Sequence, residues 1–211
     1  MSRLYPVFAN IEGRKVVVVG GGPVAQRKVS SLLKCRACVV VISPELTGEM
    51  AQLRDRGLIE VLNRPYQKGD IEGAWLVIAA TGDEQVNQQV FDEANKNGIF
   101  CNVVDVPDLC SFQVPSVVRR GDLQIAISTS GASPALAKHI RKQLQEEFGK
   151  HYEPFLTALS ELRTGLKNKY PNNQPRRAAI LEEFVNSSAI DLLRHGKLDE
   201  FEHLLDDWKD R

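Results

Sequence analysis

The chain has 211 residues, room for one domain with an appendage or for two small domains. Its 27 basic and 27 acidic residues cancel, which argues against a general nucleic-acid binder, and a hydrophobic content of 43% is that of an ordinary globular protein. No stretch reaches the ~18 apolar residues of a membrane helix, and the opening M-S-R-L-Y-P-V-F lacks the regions of a signal peptide, so a cytoplasmic protein without membrane or nucleic-acid partners is expected.

Leu4 to Ile11 reads as an extended lead-in, and Gly13 and Arg14 turn into the first strand. Lys15 to Lys28 runs K-V-V-V-V-G-G-G-P-V-A-Q-R-K, an unbroken valine run that suits a parallel strand covered on both faces. Gly20, Gly22 and Ala25 then supply the spacing G-x-G-x-x-A. The first glycine permits the tight turn, the second lets the backbone approach a pyrophosphate, and the small third residue lets the following helix pack closely. Free N–H groups at that helix start would bind the anion.

Apolar positions at helical spacing (Val24, Val29, Leu32, Leu33) predict a helix over about 23–34. Ala37 to Ile42 is a second buried strand, ending at Ser43-Pro44-Glu45. No basic residue stands there to meet a 2′-phosphate, which favours NAD over NADP. A helix over 46–56, a short strand over 59–62, a strand over 75–80 ending in Thr81-Gly82-Asp83, a helix over 84–96 and a strand over 99–104 ending at Asp105 complete the alternation. Strands alternating with helices imply a doubly wound parallel sheet, an α/β Rossmann domain over residues 1–110. Ligands of such sheets bind beyond the carboxyl ends of the strands, where Gly20, Ser43, Thr81 and Asp105 fall.

The pattern changes after residue 110. Ser111 to Val118 and Leu123 to Ser128, with Arg120-Gly121-Asp122 between them, predict a hairpin. Ser133 suits an N-cap and Pro134 a first helical residue, with Leu136, Ile140, Leu144 and Phe148 along one face of the helix. From about 151 the chain reads as short helices interrupted at Pro171 and Pro175. Residues 114–177 hold 11 Lys or Arg against 5 Asp or Glu, which suits an anionic ligand, whereas 178–211 hold 4 against 9. Cys35 and Cys38 form a C-x-x-C after a helix, not at its N-terminus, so they and the irregularly spaced Cys101 and Cys110 are expected to be structural or surface thiols. The four histidines, 139, 151, 195 and 203, have no metal-ligand spacing, and no metal site is expected.

The strings V-V-V-G-G-G-P-V-A-Q-R-K, A-A-T-G-D-E-Q-V-N, C-N-V-V-D-V-P-D-L-C-S-F-Q-V-P-S and S-T-S-G-A-S-P-A-L-A-K-H-I-R together resemble the precorrin-2 dehydrogenases of siroheme synthesis, some of which also insert iron as sirohydrochlorin ferrochelatases. The resemblance covers residues 4 to about 150. It implies an NAD-binding Rossmann domain (1–110), a dimerisation region of hairpin and helix (111–150) and a small helical domain (151–211), assembled as a homodimer. It further implies an anionic tetrapyrrole substrate, with iron(II) as a second substrate in members that chelate. Cofactor-binding candidates are Gly20, Gly22, Pro23, Val24, Ala25, Ser43, Pro44, Thr81, Asn102 and Val104. Ser128, Thr129, Ser130, Gly131, Ser133, Lys138 and Arg141 are candidates for the substrate's carboxylates. Asp105 matches the family's functional aspartate in N-V-V-D and is the catalytic candidate. The chain departs from the pattern at Cys35-Arg36-Ala37, where a glycine usually ends the helix, at Val106, where many relatives have a second acid, and at Thr129, where serine is usual. Two alternatives remain open: a non-enzymatic nucleotide-sensing module, and a chelatase without hydride chemistry.

Overall fold

The computed structural model describes residues 4–211, which form two compact units divided between Val114 and Pro115. In the first, strands β1 (Lys15–Val19), β2 (Cys38–Ile42), β3 (Glu60–Leu62), β4 (Leu76–Ala79) and β5 (Phe100–Val103) alternate with helices α1 (Pro23–Lys34), α2 (Gly48–Asp55) and α3 (Glu84–Lys96). The sheet is parallel throughout, in the order β3-β2-β1-β4-β5, with Val17 paired to Val40 on one side and Val77 on the other. This is the doubly wound Rossmann arrangement expected from the alternation.

The valine run shows why that strand is central. Side chains alternate across a strand, so Val16 and Val18 join Ala25, Val29 and Leu32 of α1 and Met50 of α2, while Val17 and Val19 join Val90 and Ala94 of α3. Each fully buried valine contributes about 1.5–3 kcal/mol of hydrophobic stabilisation. One strand thus nucleates two cores. The lead-in forms neither helix nor strand; Ile11 is buried, whereas Tyr5, Val7 and Phe8 are exposed.

Several boundaries move for local reasons. The second helix starts at Gly48, not Leu46, because the Thr47 hydroxyl accepts from Met50 N and caps it. At the end of α1, Arg36 takes the position glycine usually holds and adopts φ 56°, while Ala37 N–H reaches back to Leu32 O. The hairpin opens at Ser116 and not at Ser111, because residues 110–112 are spent on β5: Ser111 N donates to Cys101 O at 2.8 Å, and its hydroxyl accepts from Cys101 N at 2.8 Å.

The second unit contains an antiparallel pair, β6 (Ser116–Arg120) and β7 (Leu123–Ile127), then α4 (Pro134–Glu147) and helices α5 (Tyr152–Lys169), α6 (Gln174–Val185), α7 (Ala189–Arg194) and α8 (Leu198–Asp210). Phe155, Leu162 and Leu166 of α5 pack with Phe184 of α6, Leu193 of α7 and Phe201, Leu205 and Trp208 of α8 into a separate core. Pro171 lies between two helices, but Pro175 does not interrupt one: it sits in the first turn of α6, where its missing N–H costs nothing. Among the described residues no helix is long and apolar enough to cross a membrane.

Candidate active site

Beyond the carboxyl ends of β1 and β4, where the strand order reverses, lies a cavity of about 660 Å³. Its walls include Gly20 to Gly22, Ser43 to Thr47, Pro65, Tyr66, Thr81 to Asp83 and Val86. Reversal points of open sheets are where ligands bind. The three glycines have separate tasks there. A β-carbon on Gly20 (φ 120°) would lie 2.4 Å from Ala80 O, so the tips of β1 and β4 close on each other only with glycine present. One on Gly21 would lie 1.8 Å from Glu45 O, and the Gly21 carbonyl accepts from Thr47 N at 3.0 Å. One on Gly22 would meet no protein atom within 4 Å.

Gly22 is also the N-cap of α1, with no side-chain cap and with Pro23 in the first turn. Open backbone at an uncapped helix start is a cradle for a pyrophosphate, and this turn suits NAD on that ground. Of the other sequence candidates, Gly20, Ser43, Pro44 and Thr81 stand at the cavity wall. Ala25 is buried beneath the turn against β1, and Pro23, Val24, Asn102 and Val104 do not line the wall.

Ser43 is only 7% exposed and its hydroxyl donates to Glu45 O at 2.7 Å, so it shapes the loop at the tip of β2. The charged residues on the wall are Glu45 and Asp83, with no Lys or Arg, an arrangement that suits NAD better than the doubly charged 2′-phosphate of NADP. Pro65 and Tyr66 reach the cavity from the loop between β3 and β4, and no motif in the sequence pointed to them. That loop is tied down at both ends. Arg64 clasps Asp70 through two hydrogen bonds, 2.8 and 2.7 Å, which hold the Asp70 carboxyl below the usual carboxylate range. The Tyr66 hydroxyl donates to Glu93 at 2.6 Å, and burial followed by that carboxylate pushes the phenol well above its ordinary value.

Asp105 follows β5 and adopts φ 62°, a left-handed conformation that asparagine and aspartate tolerate better than other side chains. It is exposed and lies outside the cavity wall. Any charge it carries therefore needs no burial to be offset, and its unusual feature is backbone geometry. Lys28 of α1 stands within its electrostatic reach; partial burial, then the charge of Arg27, lower the lysine's pKa, and Asp105 opposes that shift. Asn102 is occupied elsewhere: its amide donates to Phe112 O at 3.0 Å and to Cys110 Sγ at 3.4 Å. The four cysteines are free, and Cys101 is buried, which pushes its thiol up to about 12.

In the second unit the loop from β7 to α4 gathers the remaining candidates. The Thr129 hydroxyl donates to Ser133 O at 3.2 Å and accepts from Ser133 N at 3.1 Å; Ser133 in turn caps α4 through Leu136 N. These two hydroxyls build the turn. Ser128 Oγ accepts from Ser130 N, and Ser130 and Gly131 are exposed with positive φ. Lys138 is exposed, and Arg141, half-buried, reaches Gln145 at 3.0 Å.

Residues 7–116 match the family model described as "Putative NAD(P)-binding", and residues 120–147 match the one described as "Sirohaem biosynthesis protein central". Siroheme synthase of Thioalkalivibrio sulfidiphilus is 38% identical over 92% of this chain and 40% of its own length. That of Methylobacillus flagellatus is 40% identical over 90% of this chain and 42% of its own. The chain thus spans about two-fifths of the length of these curated relatives. The solved structure of SirC, a precorrin-2 dehydrogenase, superposes with a TM-score of 0.81 at 27% identity, over 97% of this chain and 100% of that one. With the glycine-walled cavity and the sheet order already in hand, these matches show that the chain belongs to the NAD(P)-binding family of siroheme biosynthesis that includes the siroheme synthases and SirC.

Proposed function

We propose that the chain oxidises precorrin-2 to sirohydrochlorin with NAD, as a cytoplasmic homodimer. The observation that carries this reading is the cradle at the reversal of the sheet: an open Gly22 at an uncapped helix start, walled by acidic and neutral residues. When bound there, NAD supplies the hydride acceptor. Gly20 to Gly22 and the start of α1 would hold the pyrophosphate, and the tip of β2, which carries Glu45 and no basic residue, would take a ribose hydroxyl without a partner for a phosphate. Asp105, exposed just after β5 with a left-handed backbone, takes the proton that leaves the ring system. Ser128, Ser130, Lys138 and Arg141 hold carboxylates of the macrocycle, and Thr129 and Ser133 keep their turn in shape. The exposed apolar residues of α4, Leu136 among them, are the surface that a second copy covers.

The test is incubation of the purified chain with precorrin-2 and NAD, followed spectroscopically for NADH and sirohydrochlorin, then with iron(II) added to read any chelatase activity. NADH formation in step with sirohydrochlorin is the expected result. A nucleotide sensor would bind NAD and leave it oxidised, and a chelatase alone would respond only to sirohydrochlorin and iron.

A further inference from the structure

Asn87 lies on the buried face of α3, in line with Val90 and Ala94, where an apolar side chain would be cheaper. It is 7% exposed, and it and Ser43 are the buried polar residues among those described. Both point the same way in function. Ser43 holds the loop at the tip of β2, one wall of the cavity; Asn87 holds Thr81, at the tip of β4, on the other.

The contacts leave little freedom. Asn87 Nδ2 donates to Thr81 O at 3.2 Å, and since a carbonyl can only accept, the amide orientation is settled. Its Oδ1 then faces the Thr81 hydroxyl, also at 3.2 Å, whose single proton has Asp83 O at 3.1 Å as its other acceptor. That hydroxyl accepts from Asp83 N at 3.0 Å, and Asp83 caps α3 by accepting from Gln85 N and Val86 N. Asn87 therefore sets the shape of Thr81-Gly82-Asp83, all of which line the cavity. The same loop carries the packing of Gly20 against Ala80, one residue before Thr81.

We infer that Asn87 is a positioning residue for the nicotinamide cofactor, acting through Thr81 and making no contact with NAD itself. The inference rests on the cavity being the NAD site. Calorimetry with NAD on the full chain tests it, beside kcat and KM in the dehydrogenase assay. Asn87→Leu, which keeps bulk and leaves Thr81 O without its amide donor, should weaken NAD binding roughly tenfold, on the scale of about one net hydrogen bond. KM for NAD should rise by the same factor, while kcat at saturating NAD and KM for precorrin-2 stay within about twofold, as expected when only uniform binding is lost.

Should Asn87→Leu fail to fold, Asn87→Asp serves: it keeps size and one acceptor, and sets a carboxylate oxygen against Thr81 O in place of the donor. Its NAD affinity should also fall. A wild-type Kd for NAD in the folded variant, with only a lowered melting temperature, would overturn the inference, and so would a fall in kcat at unchanged Kd. Gly22→Val in the same series separates this from the underlying assignment. If Gly22→Val binds NAD normally, the cavity is not the site and both readings fall. If it loses NAD while the Asn87 variants keep it, only the role of Asn87 falls.

Discussion

The sheet of the first unit and the hairpin with α4 in the second solve burial in opposite ways. Val16 to Val19 are covered on both faces by helices of their own unit, so the first unit encloses its core by itself. In α4 only Ala137 is buried, and Leu136 remains 48% exposed; in β6 only Val118 is buried. A self-enclosed core gives a rigid frame for a nucleotide, whereas a half-covered helix gives a surface that another molecule can complete. The first unit holds the cavity proposed for the cofactor, and the second the basic residues and turn proposed for the anionic substrate.

The largest test of that division is at Asp105. Asp105→Asn keeps a residue that accepts the left-handed backbone, so fold and NAD affinity should be retained while kcat falls on the order of 10²–10⁴, the range for losing a general acid or base. A melting temperature that drops with kcat near wild type would make Asp105 a structural residue of the turn.

Next come the glycines, which separate shape from binding within the first unit. Gly22→Val puts its β-carbon where no protein atom stands, so melting temperature should hold while calorimetric NAD binding disappears. Gly21→Ala drives a β-carbon into Glu45 O and should cost about 1–3 kcal/mol of stability, the usual range for overpacking, visible as a lower denaturation midpoint. Equal behaviour of the two variants would remove the distinction between them.

In the second unit, Leu136→Glu places a charge on the exposed apolar face of α4. If a second copy covers that face, sedimentation should shift from dimer to monomer with NAD affinity unchanged, since the cofactor cavity lies wholly in the first unit. An unshifted dimer would move the proposed interface elsewhere.

The smallest effect is at Arg36, which occupies a left-handed position at the end of α1. Arg36→Gly should raise stability by about 0.5–1 kcal/mol: relief of a left-handed backbone cost of about 1–2 kcal/mol is partly offset by glycine's greater entropy loss. The ion pair to Glu12 at 3.0 Å joins two exposed side chains and adds little to the loss. A lower melting temperature would mean that this pair outweighs the backbone.

Local chemistry made the sheet legible: a valine run can be buried on both faces only by flanking helices, and glycine followed by proline forces a turn into a helix. The sequence by itself therefore determined the Rossmann unit, the place of the glycine turn, the N-cap at Ser133, and the strand ends where a ligand would sit. It did not determine which glycine is packed and which is open, because that depends on Glu45 O and Ala80 O arriving from the loops that follow β2 and β4. Nor could it place Pro65 and Tyr66 at the cavity, since their loop is brought there by Glu93 of α3, 27 positions from Tyr66. Asn87 stood in plain view within T-G-D-E-Q-V-N, but on a helical wheel it is only a polar residue among apolar neighbours. Its meaning arises when α3 packs against the sheet and excludes water, because an amide that has lost water must find its partners in the Thr81 turn.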